Sequence, residues 1–299
     1  MKNITNISIV LSFVGLWLSS LLAGQYEIIV GFFFIFTFGI LHGSNDVLLI
    51  TSFENQISKN TFPKILTGYL FMVLIAVAIF YYLPILALVL FIVFSAFHFG
   101  EQHWEEKISG ISKYLRSAFY FVYGQFILLL LFQFNKKDVI DVIYSITNYH
   151  LNENTITQCF IYSSIVFGLL LLILILNSKA FKKLIAIELL YLLIFSVIFK
   201  VSTLIWGFTI YFVFWHSLPS LYDQISYVYG ESNKKNILRY CKNALPYWAI
   251  SIIGIALVYF IFKDENIFYA VFFSFIAAVT FPHSIVINKM FKHKKSATK

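Results

Sequence analysis

Ten stretches of this sequence are apolar enough and long enough to cross a lipid bilayer: roughly 7–24, 27–50, 65–83, 84–100, 114–134, 156–177, 183–199, 201–218, 244–262 and 266–288. About 20 helical residues span a hydrocarbon core of about 30 Å, and within that core the backbone must satisfy its own hydrogen bonds. Runs of this length predict helices, so the expected fold class is all-α: a polytopic integral membrane helical bundle of about ten transmembrane helices. Tight turns at Tyr82-Leu83-Pro84 and at Lys200 separate runs that would otherwise merge. Composition agrees: of 299 residues 60% are hydrophobic and 12% charged, with 35 Phe, 19 Tyr and a mean hydropathy of +0.83, more apolar surface than a soluble domain hides. The first run, behind Lys2, has the look of a signal peptide, but with many spans following it is read as the first helix.

The formal charge of +8 does not point to nucleic acid, because the basic residues lie scattered in short loops and form no continuous patch with exposed aromatics. They report topology instead. With the N-terminus inside, four of the 22 Lys and Arg fall in outer loops (Lys136, Lys137, Lys200 and Lys263) and the other eighteen on the cytoplasmic side. The positive-inside rule then places both termini in the cytoplasm of a multi-pass inner (plasma) membrane protein. Residues 1–299 read as a single transmembrane domain with a basic cytoplasmic tail at about 289–299, an anchor for anionic headgroups. The loops at about 135–155 and 219–243 are too short to fold alone. Cys159 and Cys241 fall on opposite sides of the membrane in this topology, so they cannot bridge.

Four of the seven histidines lie near the ends of even-numbered spans: His42, His98, His216 and His283. Even-numbered spans all run from outside to inside, so these rings share a depth a turn or two below the cytoplasmic surface. Histidines placed independently would show no such preference, and four converging imidazoles suit Fe, Cu, Ni or Zn. Four neutral nitrogens leave a divalent ion uncompensated, so carboxylates are expected beside the rings. Asp46, at i+4 from His42, and Glu101, at i+3 from His98, fit that role. Each histidine taken alone would more simply be a hydrogen-bonded contact between helices. His103 reads as interfacial or as a partner to a ligand, His150 as an outer-loop residue and His293 as part of the tail. The aromatic runs Gly31-Phe32-Phe33-Phe34-Ile35-Phe36-Thr37-Phe38 and 206–215 lead directly to His42 and His216. Membrane packing explains such runs, and so does an aromatic-walled cavity for a long apolar substrate.

Four motifs, in this order, carry a resemblance: Gly39-Ile40-Leu41-His42-Gly43-Ser44-Asn45-Asp46, His98-Phe99-Gly100-Glu101, Trp215-His216-Ser217-Leu218 and Phe281-Pro282-His283. At these positions the chain resembles the Brp/Blh family of bacterial β-carotene 15,15′-dioxygenases. The resemblance implies a membrane-embedded, Fe(II)-dependent enzyme that cleaves β-carotene with O₂ into two retinal, and a retinal acceptor such as a rhodopsin. It implies His42, His98, His216 and His283 as metal ligands, with Asp46 and Glu101 as their orienting partners. The sequence departs from the family at Ser220, where a further histidine usually stands one turn after the third motif's first, and at His103, where the family tends to have an acid. Pro219 is expected to kink or end the eighth span, and Pro282 to bend the tenth. Two ligand sets follow: four histidines including His283, with Ser220 near an open position or holding a water, or three histidines with His283 outside the set.

A diiron desaturase or hydroxylase would need His-x-x-x-His and His-x-x-His-His clusters, which are absent. From another class, a transporter or a proton or ion relay could use Asp46 and the histidines without oxygenase activity. Spans almost free of charge at mid-depth, and no evident pair of broken helices, argue against it.

Overall fold

The computed structural model describes residues 2–22, 24–53, 61–262 and 265–297, so Lys59, Lys263 and Lys299 of the charge count lie outside the described residues. The chain is a helical membrane protein, without strands among the described residues. Eight helices there are long and apolar enough to cross a membrane: Ile4–Leu21, Gly24–Ser52, Pro63–Tyr82, Pro84–Trp104, Lys113–Phe134, Glu153–Asn177, Lys179–Val201 and Leu204–Tyr229. They coincide with the first eight apolar runs. The helices Lys234–Phe262 and Glu265–Ala297 fall over the ninth and tenth.

The chain divides into two compact units, each assembled from separated segments. The first holds Met1–Phe34, Ser95–Tyr144 and Tyr149–His216. Its spans are pinned where small residues let backbones touch. A Cβ on Gly100 would overlap the carbonyl of Tyr120, and one on Gly124 the carbonyl of Ala96, so spans four and five cross with almost no side chain between them. His98 lies between Ala96 and Gly100, on the stretch that this crossing holds. Span one is tied to span eight by two indoles, Trp206 Nε1 donating to the Gly15 carbonyl at 3.1 Å and Trp215 Nε1 to Ser12 Oγ at 2.8 Å. At the far end of the same pair of spans, buried Glu27 accepts from the Thr203 amide at 3.0 Å and from Ser19 Oγ. The carboxylate thereby satisfies a helix N-terminus that would otherwise stand open in lipid.

The second unit holds Ile35–Phe94, Ser145–Asn148 and Ser217–Lys299. One apolar core joins Leu49 to Val286, Ile287, Met290 and Phe291; another joins Phe80 and Ala87 to Ala277. Asn45 Nδ2 donates to the Tyr240 carbonyl at 2.9 Å, Tyr240 donates its hydroxyl to Gln224 Oε1, and Gln224 Nε2 donates to Ser220 Oγ at 2.9 Å. Such a chain of bonds links four buried polar side chains.

Spans two and eight are not uniform α-helices. Each carries a π-helical stretch just before or around its histidine, Ile35–Gly39 and Ile210–Ser217. A π turn leaves carbonyls poorly matched, and Trp248 Nε1 caps that of Phe36 at 2.8 Å. Span two is broken again at Ser44-Asn45, between the helices Ile40–Gly43 and Asp46–Ser52. Span eight does not end at Pro219. The α-helix restarts at Leu218 after the π stretch and runs to Tyr229, with Pro219 in its first turn, where no backbone N–H is required. Pro282 likewise lies inside a continuous helix. The two expected loops are corrected as well: the helix Lys136–Thr147 occupies much of the outer one, and Leu218–Tyr229 the start of the inner one. Both are amphipathic, with apolar residues such as Val139, Ile140, Ile143 and Ile146 returning every three or four positions, a pattern that a search for unbroken apolar runs passes over.

Candidate metal centre

Each unit contributes one pair of histidines. In the second, His42 and His283 stand edge to face, ring centroids 4.7 Å apart at 88°. In the first, His98 and His216 do the same, 4.7 Å apart at 78°. All four side chains are buried, between 1% and 4% exposed. Each offers one ring nitrogen that could ligate a metal ion.

The chemistry of the second pair is fixed by what its rings bond. His42 Nδ1 meets the carbonyl of Gly39 and His283 Nδ1 meets Asp46 Oδ1 at 2.7 Å. A carbonyl can only accept, and so can an ionised carboxylate, so Nδ1 is the protonated nitrogen of both rings and Nε2 is left with its lone pair. That is the arrangement a metal-ligating histidine adopts. Asp46 Oδ2 accepts in turn from the Tyr69 hydroxyl at 2.9 Å.

This departs from the expected pairing of Asp46 with His42. An i+4 contact assumes an unbroken helix, and the turn at Ser44-Asn45, where Asn45 adopts φ −102° and ψ 18°, interrupts it. Asp46 serves His283 from the tenth span, and a backbone carbonyl serves His42. Glu101 is buried one turn beyond His98 on the same helix.

The first pair is walled by aromatics. Phe99 packs against His216 at 4.7 Å, and the rings of Phe208, Phe212 and His216 form a parallel stack at 5.1 and 5.6 Å along span eight. Apolar walls of this kind keep water from the ring nitrogens.

The remaining histidines have other employment. His103 Nε2 lies 2.6 Å from Glu188 Oε2 and 2.9 Å from Lys107 Nζ, Lys107 also reaches Glu188 Oε1 at 2.7 Å, and the imidazole stacks on Tyr123. Burial pushes the Lys107 ammonium below its usual pKa range, and the Glu188 carboxylate pulls it back up. His103 is thus engaged by Glu188, Lys107 and Tyr123. Sequence reasoning overlooked Glu188, although a lone acid in the apolar run 183–199 is a signal that a cation waits nearby. His150 stacks on Tyr144 and His293 on Phe53. Both cysteines are free. Ser220 is wholly buried, its hydroxyl accepting from Gln224.

Fold and site together define a polytopic membrane protein with buried histidines able to serve as metal ligands. The family model for β-carotene 15,15′-dioxygenase matches residues 33–291, a stretch that contains all four histidines, and the chain belongs to that family. Membership implies dioxygenase activity on a carotenoid. Comparison with curated proteins and with solved structures gives no match.

Proposed function

We propose that the protein is an iron-dependent carotenoid cleavage dioxygenase that converts β-carotene and O₂ into two retinal, with His42, His98, His216 and His283 holding one Fe(II). The observation that carries this reading is the pair of buried histidine couples in a member of the β-carotene 15,15′-dioxygenase family. The donor set suits the ion: imidazole binds Fe(II) well, and the four histidines would hold it. Bound Fe(II) supplies the electrons that let O₂ react with a closed-shell alkene.

The protein's own residues position and exclude. Asp46 holds His283, the Gly39 carbonyl holds His42, and the single negative charge of Asp46 compensates part of the ion's charge. Glu101 is assigned the matching role for the His98 and His216 side. Phe99, Phe208 and Phe212 keep the site dry and offer flat apolar surfaces to a polyene. A carotenoid is about as long as the roughly 30 Å hydrocarbon core and hardly dissolves in water, so the substrate enters sideways from the lipid. The chain works as one transmembrane domain in the inner membrane, both termini cytoplasmic, and hands retinal to an acceptor such as a rhodopsin.

Expression in β-carotene-accumulating cells tests the reading. Loss of orange colour with retinal in the extract, and iron near one per chain in the purified protein, is the expected result; unchanged carotenoid in cells that contain folded, iron-loaded protein would overturn it. The interruptions in spans two and eight favour a second reading, an ion carrier, because broken helices commonly line transport sites. Uptake into proteoliposomes without stoichiometric iron would establish the carrier.

A further inference from the structure

The Asp46 carboxylate is held at both oxygens by side chains of its own unit: Oδ1 by His283 Nδ1 at 2.7 Å, Oδ2 by the Tyr69 hydroxyl at 2.9 Å. Tyr69 belongs to the helix Thr61–Tyr82, the third span, which contributes no histidine. A carboxylate bonded at one oxygen can still rotate about its last torsion, which for this residue type is broad. A second bond at the other oxygen removes that freedom. The donor's chemistry is also specific. A lysine or arginine in Tyr69's place would neutralise Asp46, whereas a phenol bonds the carboxylate and leaves its charge to act on the imidazole and on the ion beyond it.

We propose that Tyr69 is a positioning residue for the metal centre: by holding Asp46 Oδ2 it orients the carboxylate that keeps His283 protonated at Nδ1, with Nε2 as ligand. This rests on the assignment of His283 to the ligand set. Its consequence is a relay of two hydrogen bonds from span three through Asp46 to the imidazole on span ten, each link within about 3 Å. Loss of an outer hydrogen-bonding partner of a metal ligand typically weakens metal binding about 10- to 100-fold. Tyr69 stands one link further out, so the low end, about tenfold, is expected.

The experiment uses the purified full-length protein in detergent, with Co(II) in place of iron as a spectroscopic probe. Tyr69→Phe keeps the ring and removes only the hydroxyl. Tyr123→Phe removes a buried hydroxyl outside the relay, and His283→Ala removes the ligand itself. Expected for Tyr69→Phe is a roughly tenfold rise in the Co(II) dissociation constant and a shift of the visible d–d bands. Tyr123→Phe should bind Co(II) as the parent does. Adding Tyr69→Phe to Asp46→Asn should cost less than it does alone, because the two share one path.

Parent-like Co(II) binding by Tyr69→Phe, with His283→Ala impaired, would overturn the positioning role while leaving His283 a ligand. Parent-like binding by His283→Ala would remove His283 from the set and the proposal with it. A lower melting temperature of metal-free Tyr69→Phe, with its d–d bands unchanged, would make the hydroxyl a packing contact only and overturn the proposal as well.

Discussion

Replacing Glu188 by Met leaves Lys107 and His103 facing an apolar side chain. Glu188 is 5% exposed and His103 7%, so neither has water to fall back on, while Lys107 is 22% exposed and can extend toward the surface. Removing one partner of a fully buried pair costs about 3–5 kcal/mol, because the other charge stays behind uncompensated. Partial exposure of the ammonium lowers that to about 2–3 kcal/mol, a shift of roughly 30- to 150-fold in the folding equilibrium. The double variant Lys107→Met/Glu188→Met removes both charges and should return to within about 1 kcal/mol of the parent, since well-packed apolar replacements of buried ion pairs are often neutral. The assay is unfolding by denaturing detergent, followed by helical circular dichroism, with iron per chain measured beside it. Iron content should be unchanged in both variants, because neither Glu188 nor Lys107 bonds any of the four histidines of the proposed site. A double variant less stable than the single would refute the electrostatic reasoning, and iron loss in His103→Phe would make that ring a partner to a ligand.

Three further outcomes are expected. Reporter fusions at residue 145 and at the C-terminus should report opposite sides of the membrane; the same side for both would invalidate the assignment of the termini. Asp46→Asn should weaken metal retention about 10- to 100-fold in competition with a chelator, and His42→Ala should weaken it more, since the first removes an orienting charge and the second a donor atom. Gly124→Leu should abolish folded protein in detergent extracts, the new side chain having to displace the backbone at Ala96, whereas Gly68→Ala, with no atom within 4 Å of the added Cβ, should be neutral or stabilise by up to about 1 kcal/mol.

Span positions were legible in the sequence because bilayer thickness is an external ruler: an apolar run of the required length leaves a helix no alternative inside lipid. Which residues could be ligands was legible for a related reason, the expense of burying an imidazole in such a run. Who partners whom was not legible, because that depends on local departures from 3.6 residues per turn. At the end of span two the Ser44-Asn45 turn lies between His42 and Asp46, so counting four residues on from His42 no longer returns to the same face. The carboxylate reaches His283, 237 residues away in the chain, a contact that no spacing rule within one helix could supply. Pro219 misled in the complementary way. Expected to kink or end the span, it sits in the first turn of a helix that restarts after the π stretch, and the restart is what carries Ser220 into the bond with Gln224. A serine hydroxyl spoken for by an amide is a poor substitute for an imidazole, which is a structural reason to look for the fourth nitrogen elsewhere. His283, buried beside His42 with its Nδ1 bonded to Asp46, is the histidine of the second unit proposed to supply it.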